Sequence, residues 1–228
     1  MRQLTLDLAH RPRLGAEDFL IGAANREAVA WVARWPHWPA PGLAVFGPES
    51  AGKSHLAHLW AARSGASVVA LATLAGAAPL ALLGDRRALA LDAADGPPGD
   101  ERALLHLYNL VAGRGGHLLL TGRRPPAQWR VRLPDLGSRL AALPAVAVGA
   151  PDDALLGAVI EKLFADRRMP VAEEVVVYLL RRMDRSFATA GRLVAALDAA
   201  ALAGRCPVSV TLARRVLATL RSQEQGES

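Results

Sequence analysis

The residues best suited to chemistry are Gly47-Pro48-Glu49-Ser50-Ala51-Gly52-Lys53-Ser54, with His55 directly after them. They fit the pattern G-x-x-x-x-G-K-[ST], and each fixed position has a task. Gly47 and Gly52 permit a tight loop whose backbone N–H groups converge on an anion, and a helix N-terminus beyond adds partial positive charge. Lys53 would reach the outer phosphates, and the Ser54 hydroxyl would bind Mg²⁺. Lys53 and Lys162 are the only lysines in an arginine-rich chain, so a lysine at this place is informative. The loop predicts a bound nucleoside phosphate.

A second chemical position is Asp92, which ends the apolar run Ala88-Leu89-Ala90-Leu91. A carboxylate at the C-terminal edge of a strand faces phosphates held by a neighbouring loop, so Asp92 is expected to hold Mg²⁺ through water together with Ser54. Ala93 comes next, where hydrolysing proteins of this kind carry a second polar group, and Asp95 is too far along to be assumed a substitute. Weak or absent turnover by the protein itself is the expectation.

These residues need strands to present them. Leu43–Phe46, Ser67–Leu71, Ala88–Asp92, His117–Thr121 and Ala145–Val148 read as five short apolar strands, separated by helical stretches. That alternation implies an α/β fold with a mostly parallel five-stranded sheet covered on both faces. Asn25 and Asp100 are candidate helix caps, and Trp35 and Trp38, in a proline-rich loop, are expected to pack rather than stack on bases. From Pro151 the pattern becomes all-helical. Helices are expected from Asp152 or Asp153 to Met169-Pro170, over Val171–Met183, over Ser186–Ala203 with Gly204 closing it, and over Thr211–Leu220. The expected organisation is an α/β nucleotide-binding domain over 12–150, a helical lid over 151–222 and a polar tail over 223–228.

Residues 1–11 stand apart, because Arg11-Pro12-Arg13 breaks them from the main domain. Gln3-Leu4-Thr5-Leu6-Asp7-Leu8 alternates apolar and polar, as an edge strand, a loose tail or a peptide docked in another protein's groove would. It resembles the sliding-clamp-binding peptide, with Leu4, Leu6 and Leu8 in pockets and Gln3 at the rim.

The bulk composition excludes several classes. The net charge of +6 permits an acidic partner, but no basic run longer than a pair suggests a dedicated DNA-binding patch. Cys206 is alone, which rules out an intrachain disulfide and favours a reducing compartment. No signal-peptide core and no bilayer-length apolar stretch is present, so a cytoplasmic protein without a membrane partner is expected.

Taken in order, the motifs of residues 19–220 resemble the nucleotide-binding core of the DnaA family within the AAA+ ATPases. The matching stretches are Phe19–Ala28, Gly47–Ser54, Asp92, Thr121-Gly122-Arg123-Arg124-Pro125-Pro126 at the sensor-1 position, Ser138-Arg139-Leu140 and Leu202–Arg205. The resemblance implies that Phe19, Leu20 and Ile21 line the adenine side and that Thr121 senses the phosphates. It makes Arg139 an arginine finger acting in trans, with Arg130 and Arg132 as neighbouring candidates. Sensor 2 is out of register: counting back from Gly204 lands near Phe187, leaving Arg185, which is preferred, or Arg192. Arg123 stands where relatives commonly have Asp. No DNA-binding domain is expected after residue 222 and no interaction domain before residue 12. With the leading peptide, this combination resembles the regulatory-inactivator branch, which implies ADP (or ATP) with Mg²⁺, a sliding clamp and DnaA as partners, DNA met only indirectly, and possible self-association. The alternative is a stand-alone ATPase that loads a helicase or remodels DNA; a small-molecule kinase lacks an evident set of acceptor residues.

Overall fold

The computed structural model describes residues 19–94 and 100–226. Its sheet contains β1 (Gly42–Phe46), β2 (Ser67–Ala70), β3 (Ala88–Asp92), β4 (His117–Gly122) and β5 (Ala145–Ala147). They pair in parallel in the order β2-β3-β4-β1-β5. Short, mostly apolar strands with both faces covered are what a buried parallel sheet requires, since crossover helices shield each face. The order puts β4 between β1 and β3 with all three parallel, so the loop after β1, Thr121 and Asp92 lie at the same carboxyl edge. Ligands of open α/β sheets bind at such carboxyl ends.

One face is covered by α1 (Arg26–Ala33) and α2 (Lys53–Ser64), which bury Val32, Leu56 and Trp60 against Leu43, Val45 and Leu119. Trp38 stacks on Trp60 with ring centroids 5.5 Å apart, and His117 meets Trp38 edge-on at the same distance. Both tryptophans of the proline-rich loop thus pack in the core, as expected. The opposite face is covered by α3 (Pro79–Leu83), α4 (Glu101–Gly113) and α5 (Pro134–Ala141). Asp100 caps α4 by accepting from Ala103 N at 2.9 Å. The Glu101 carboxylate accepts the N–H groups of Arg132 and Leu133, fastening the start of α4 to the entry of α5.

The C-terminal helices α6 (Asp153–Asp166), α7 (Glu173–Leu180), α8 (Phe187–Gly204) and α9 (Val210–Gly226) enclose a separate core around Ile160, Phe164, Leu179, Val194 and Ala213. Asp152 caps α6 through Leu155 N at 2.7 Å, and Ser186 caps α8 through Thr189 N at 3.2 Å. The composition of α8 would suit a membrane span, but its Ala190, Leu193, Val194 and Leu197 are buried in this core.

Several local expectations are corrected. Asn25 stands at the cap position of α1, yet its side chain makes no capping bond. Its amide turns back instead, accepting from Gly22 N at 2.9 Å and donating to Leu20 O at 3.0 Å. The left-handed residue that closes α8 is Arg205 (φ 46), one position beyond Gly204, because Cys206 N returns to Ala201 O from there. The helix expected over Val171–Met183 is shorter, Glu173–Leu180. The 3-10 turn Leu71–Ala75 and α3 were not expected at all.

The segment Phe19–Asn25 touches three parts of the molecule. Phe19 meets His55 of α2 edge-on at 5.1 Å, Ala24 O accepts Gly149 N at 2.8 Å beyond β5, and Gly22 lies against Leu155 of α6. A Cβ on Gly22 would stand 3.0 Å from the Leu155 side chain, so any larger residue would make that side chain shift.

Candidate nucleotide-binding site

The loop between β1 and α2 has a backbone that most residues resist. Gly47 (φ +153) passes so close to the end of β5 that a Cβ would sit 2.0 Å from the carbonyl oxygen of Val148. Gly52 (φ +91) precedes α2, and Ser50 also takes a positive φ of 56°. Such turns aim successive N–H groups into one concavity, which α2's N-terminal charge reinforces. Lys53 folds back over the loop, donating to Gly47 O at 2.9 Å and Pro48 O at 2.6 Å. A lysine held over the loop is placed to exchange those carbonyls for phosphate oxygens.

At the strand edge the expected partners do meet. The exposed Ser54 hydroxyl donates to the Asp92 carboxylate, at 2.8 Å to one oxygen and 3.1 Å to the other. Thr121, almost fully buried, donates its hydroxyl to Asp92 Oδ1 and accepts from Ala93 N at 3.2 Å. Its carbonyl receives Ala94 N at 2.7 Å. A hydroxyl has one proton to give, and that of Thr121 is committed to Asp92. Ala93 is itself in the left-handed region (φ 54), which turns the chain away from the strand directly after the carboxylate.

These residues fit a nucleoside phosphate with Mg²⁺: a loop bent at two glycines, where Gly47 admits no Cβ, one lysine, and a hydroxyl–carboxylate pair of hard oxygen donors. When bound, the nucleotide would bring the phosphate charge and the metal. Gly47, Gly52 and Lys53 would hold the phosphates, and Ser54 and Asp92 the metal. Among the described residues no cluster of three His, Cys, Asp or Glu side chains forms a separate metal centre.

The remaining candidates scatter more. Phe19 lies beside His55, Leu20 is half-buried, and Ile21 is 57% exposed. Ala51 is buried, whereas Pro48 and Glu49 are exposed at the loop's rim. Glu49 pairs with Arg123 at 2.7 Å, joining this loop to the one after β4. Arg185 donates to Asp153 at 3.1 Å, an exposed ion pair, and does not line the cavity beside Gly52 and Lys53. Arg192 lines a groove of the lid with Arg182 and Arg221. The residue that does close the cavity is Phe187, with Ala188 beside it; they face Ser50, Gly52, Lys53 and Ser54 across about 160 Å³. Phe187 N donates to Ser50 O at 3.3 Å, and its ring lies 3.3 Å from where a Cβ on Gly52 would stand. The signal for Phe187 was its register before Gly204; its apolar type concealed the role.

Arg139 does not line this cavity. It projects from α5, bonded through Nε to Asp135 Oδ1 at 2.9 Å and lying 5.6 Å from the centre of the Tyr108 ring. Burial raises the Tyr108 pKa above its usual 10.0, with the Arg139 charge opposing. Gln3, Leu4, Leu6, Leu8 and Asp95 lie outside the described residues.

Solved structures share this architecture. Domain III of the Thermotoga maritima replication initiation protein DnaA superposes with a TM-score of 0.76 at 18% identity, over 92% of this chain and 97% of that one. The fold is that of DnaA domain III. A replication initiator DnaA bound to AMPPCP and single-stranded DNA matches with a TM-score of 0.69 at 18% identity, over 82% of this chain and 65% of that one. The Thermotoga maritima RuvB Holliday junction branch migration motor matches with a TM-score of 0.68 at 16% identity, over 88% and 70%. This chain thus spans about two thirds of the longer DnaA structure. No protein-family model matches the sequence.

Proposed function

We propose that this chain is a nucleotide-holding regulator of the replication initiator DnaA, of the Hda type, acting in the cytoplasm on the DNA-loaded sliding clamp. The observation that carries the reading is a glycine-shaped loop with Lys53, Ser54 and Asp92 beside it and, among the described residues, no second acid next to Asp92. Ala93 supplies no second acid, the Thr121 proton is committed to Asp92, and the lid offers the Phe187 ring where a cation would meet the outermost phosphate. Such a site suits retention of ADP with Mg²⁺ as a structural element.

Arg139 supplies the activity in this reading. Charge builds on the γ-phosphate oxygens during phosphoryl transfer, and an arginine provided in trans is worth roughly 10³ to 10⁵ in rate. Arg139, partly exposed and away from its own cradle, would act on the ATP of a neighbouring DnaA and drive it to the ADP form, so that origins do not refire. Gln3, Leu4, Leu6 and Leu8 would hold the clamp, with DNA met only through it.

The test mixes this protein with DnaA–ATP and clamp loaded on DNA and measures phosphate release. Hydrolysis should accelerate, Arg139→Ala should abolish the acceleration while clamp binding persists, and Gln3→Ala with Leu6→Ala should remove clamp retention without unfolding. Brisk turnover by the protein alone, lost in Lys53→Ala, would favour instead a stand-alone motor, the reading that the likeness to RuvB supports.

A further inference from the structure

Arg139 is gripped from two directions at the surface. Its Nε–H is taken by Asp135, four residues earlier on the same helix, and its guanidinium lies over the ring of Tyr108 from α4. Tyr108 is 7% exposed and cannot swing away, and Asp135 sits in the first turn of α5 behind Pro134. The same corner is fastened by Glu101, whose carboxylate holds the backbone leading into α5. Among the described residues no hydrogen bond reaches either Nη nitrogen.

That arrangement uses the guanidinium selectively. An arginine has five N–H donors in a planar fork, and the Nη pair is the edge that matches two phosphate oxygens. Pinning Nε with a carboxylate and one ring face with an aromatic leaves that edge presented. It also removes rotamer freedom that a long exposed side chain would otherwise lose on meeting its target. We infer that Asp135 and Tyr108 are positioning residues that hold the Arg139 fork ready for a phosphate on a neighbouring molecule. This rests on the trans role proposed for Arg139. Both residues act through orientation and touch no reacting atom.

The test separates positioning from docking. With DnaA–ATP and DNA-loaded clamp, the stimulated rate is measured across concentrations of this protein. Asp135→Asn should lower the plateau rate about twofold and Tyr108→Leu roughly two- to fivefold, and together roughly four- to tenfold, as loss of one helix ion pair and one cation–π contact implies. The half-saturating concentration should stay within about twofold of wild type, on the same reasoning. Tyr108→Phe keeps the ring and should keep the plateau, and Asp135→Glu should recover part of it. Circular dichroism and nucleotide binding verify that each variant is folded. If Arg139→Ala abolishes stimulation while Asp135→Asn and Tyr108→Leu behave as wild type, positioning is refuted and the finger stands. If Arg139→Ala itself stimulates normally, both readings fall. A raised plateau in Asp135→Asn would mean that the carboxylate restrains the arginine, and a shift confined to half-saturation would mean a docking contact; either overturns the inference.

Discussion

Replacing Lys53 with alanine should separate nucleotide binding from folding. The ammonium donates to two loop carbonyls, at 2.9 and 2.6 Å. Two phosphate contacts from a charged donor are worth about 1.5–3 kcal/mol each. Subtracting what is given up at the carbonyls leaves about 3 kcal/mol, or roughly a hundredfold in Kd. Without nucleotide, loss of these two partly exposed bonds costs about 1 kcal/mol. Calorimetric titration with Mg·ADP measures the first quantity and denaturant unfolding the second. At ADP about one hundred times the wild-type Kd, wild type should gain about 2.7 kcal/mol of stability and the variant about 0.4 kcal/mol. A variant that binds ADP within about threefold of wild type, well short of that hundredfold loss, would refute the assignment of the loop as the phosphate cradle.

Three further outcomes are expected. Gly47→Ala should cost about 4 kcal/mol or more in urea unfolding, because positive φ and a backbone clash combine, whereas Gly65→Ala, with φ +69 and nothing within 4 Å, should cost only about 1–2 kcal/mol. Phe187→Arg places a cation on the lid side of the cradle and should raise the preference for a triphosphate analogue over ADP by about tenfold, the worth of one charge-assisted hydrogen bond; an unchanged ratio would show that Phe187 does not face the outermost phosphate. Burial lowers the His117 pKa below 6.5, so the unfolded chain binds that proton more readily and stability should fall as pH drops through 6.5; His117→Gln should flatten the thermal unfolding profile there.

The sheet and cradle were legible because their signals are local. Each strand is an apolar run bounded by turn residues, and the loop, Ser54 and Asp92 obey one spacing that the parallel order brings together. The stretch Leu71–Leu83 was not legible, since its apolar residues show no period that separates a 3-10 turn from a short helix. Asn25 misled because a short amide can bond the turn behind it as well as the helix ahead. Phe187 was passed over for its type: a cation near that register looked suited to phosphate, whereas the folded chain pairs Arg185 with Asp153 and sets Phe187 beside Gly52 and Lys53. The committed proton of Thr121 depends on a cross-strand contact that no single-strand pattern encodes.

The strip from Phe19 to Asn25 reaches the phosphate-loop helix, the exit of the last strand and the first lid helix in turn. A load on that strip would therefore be shared between the sheet and the C-terminal helices, so loosening any one of its three contacts should be felt at the other two.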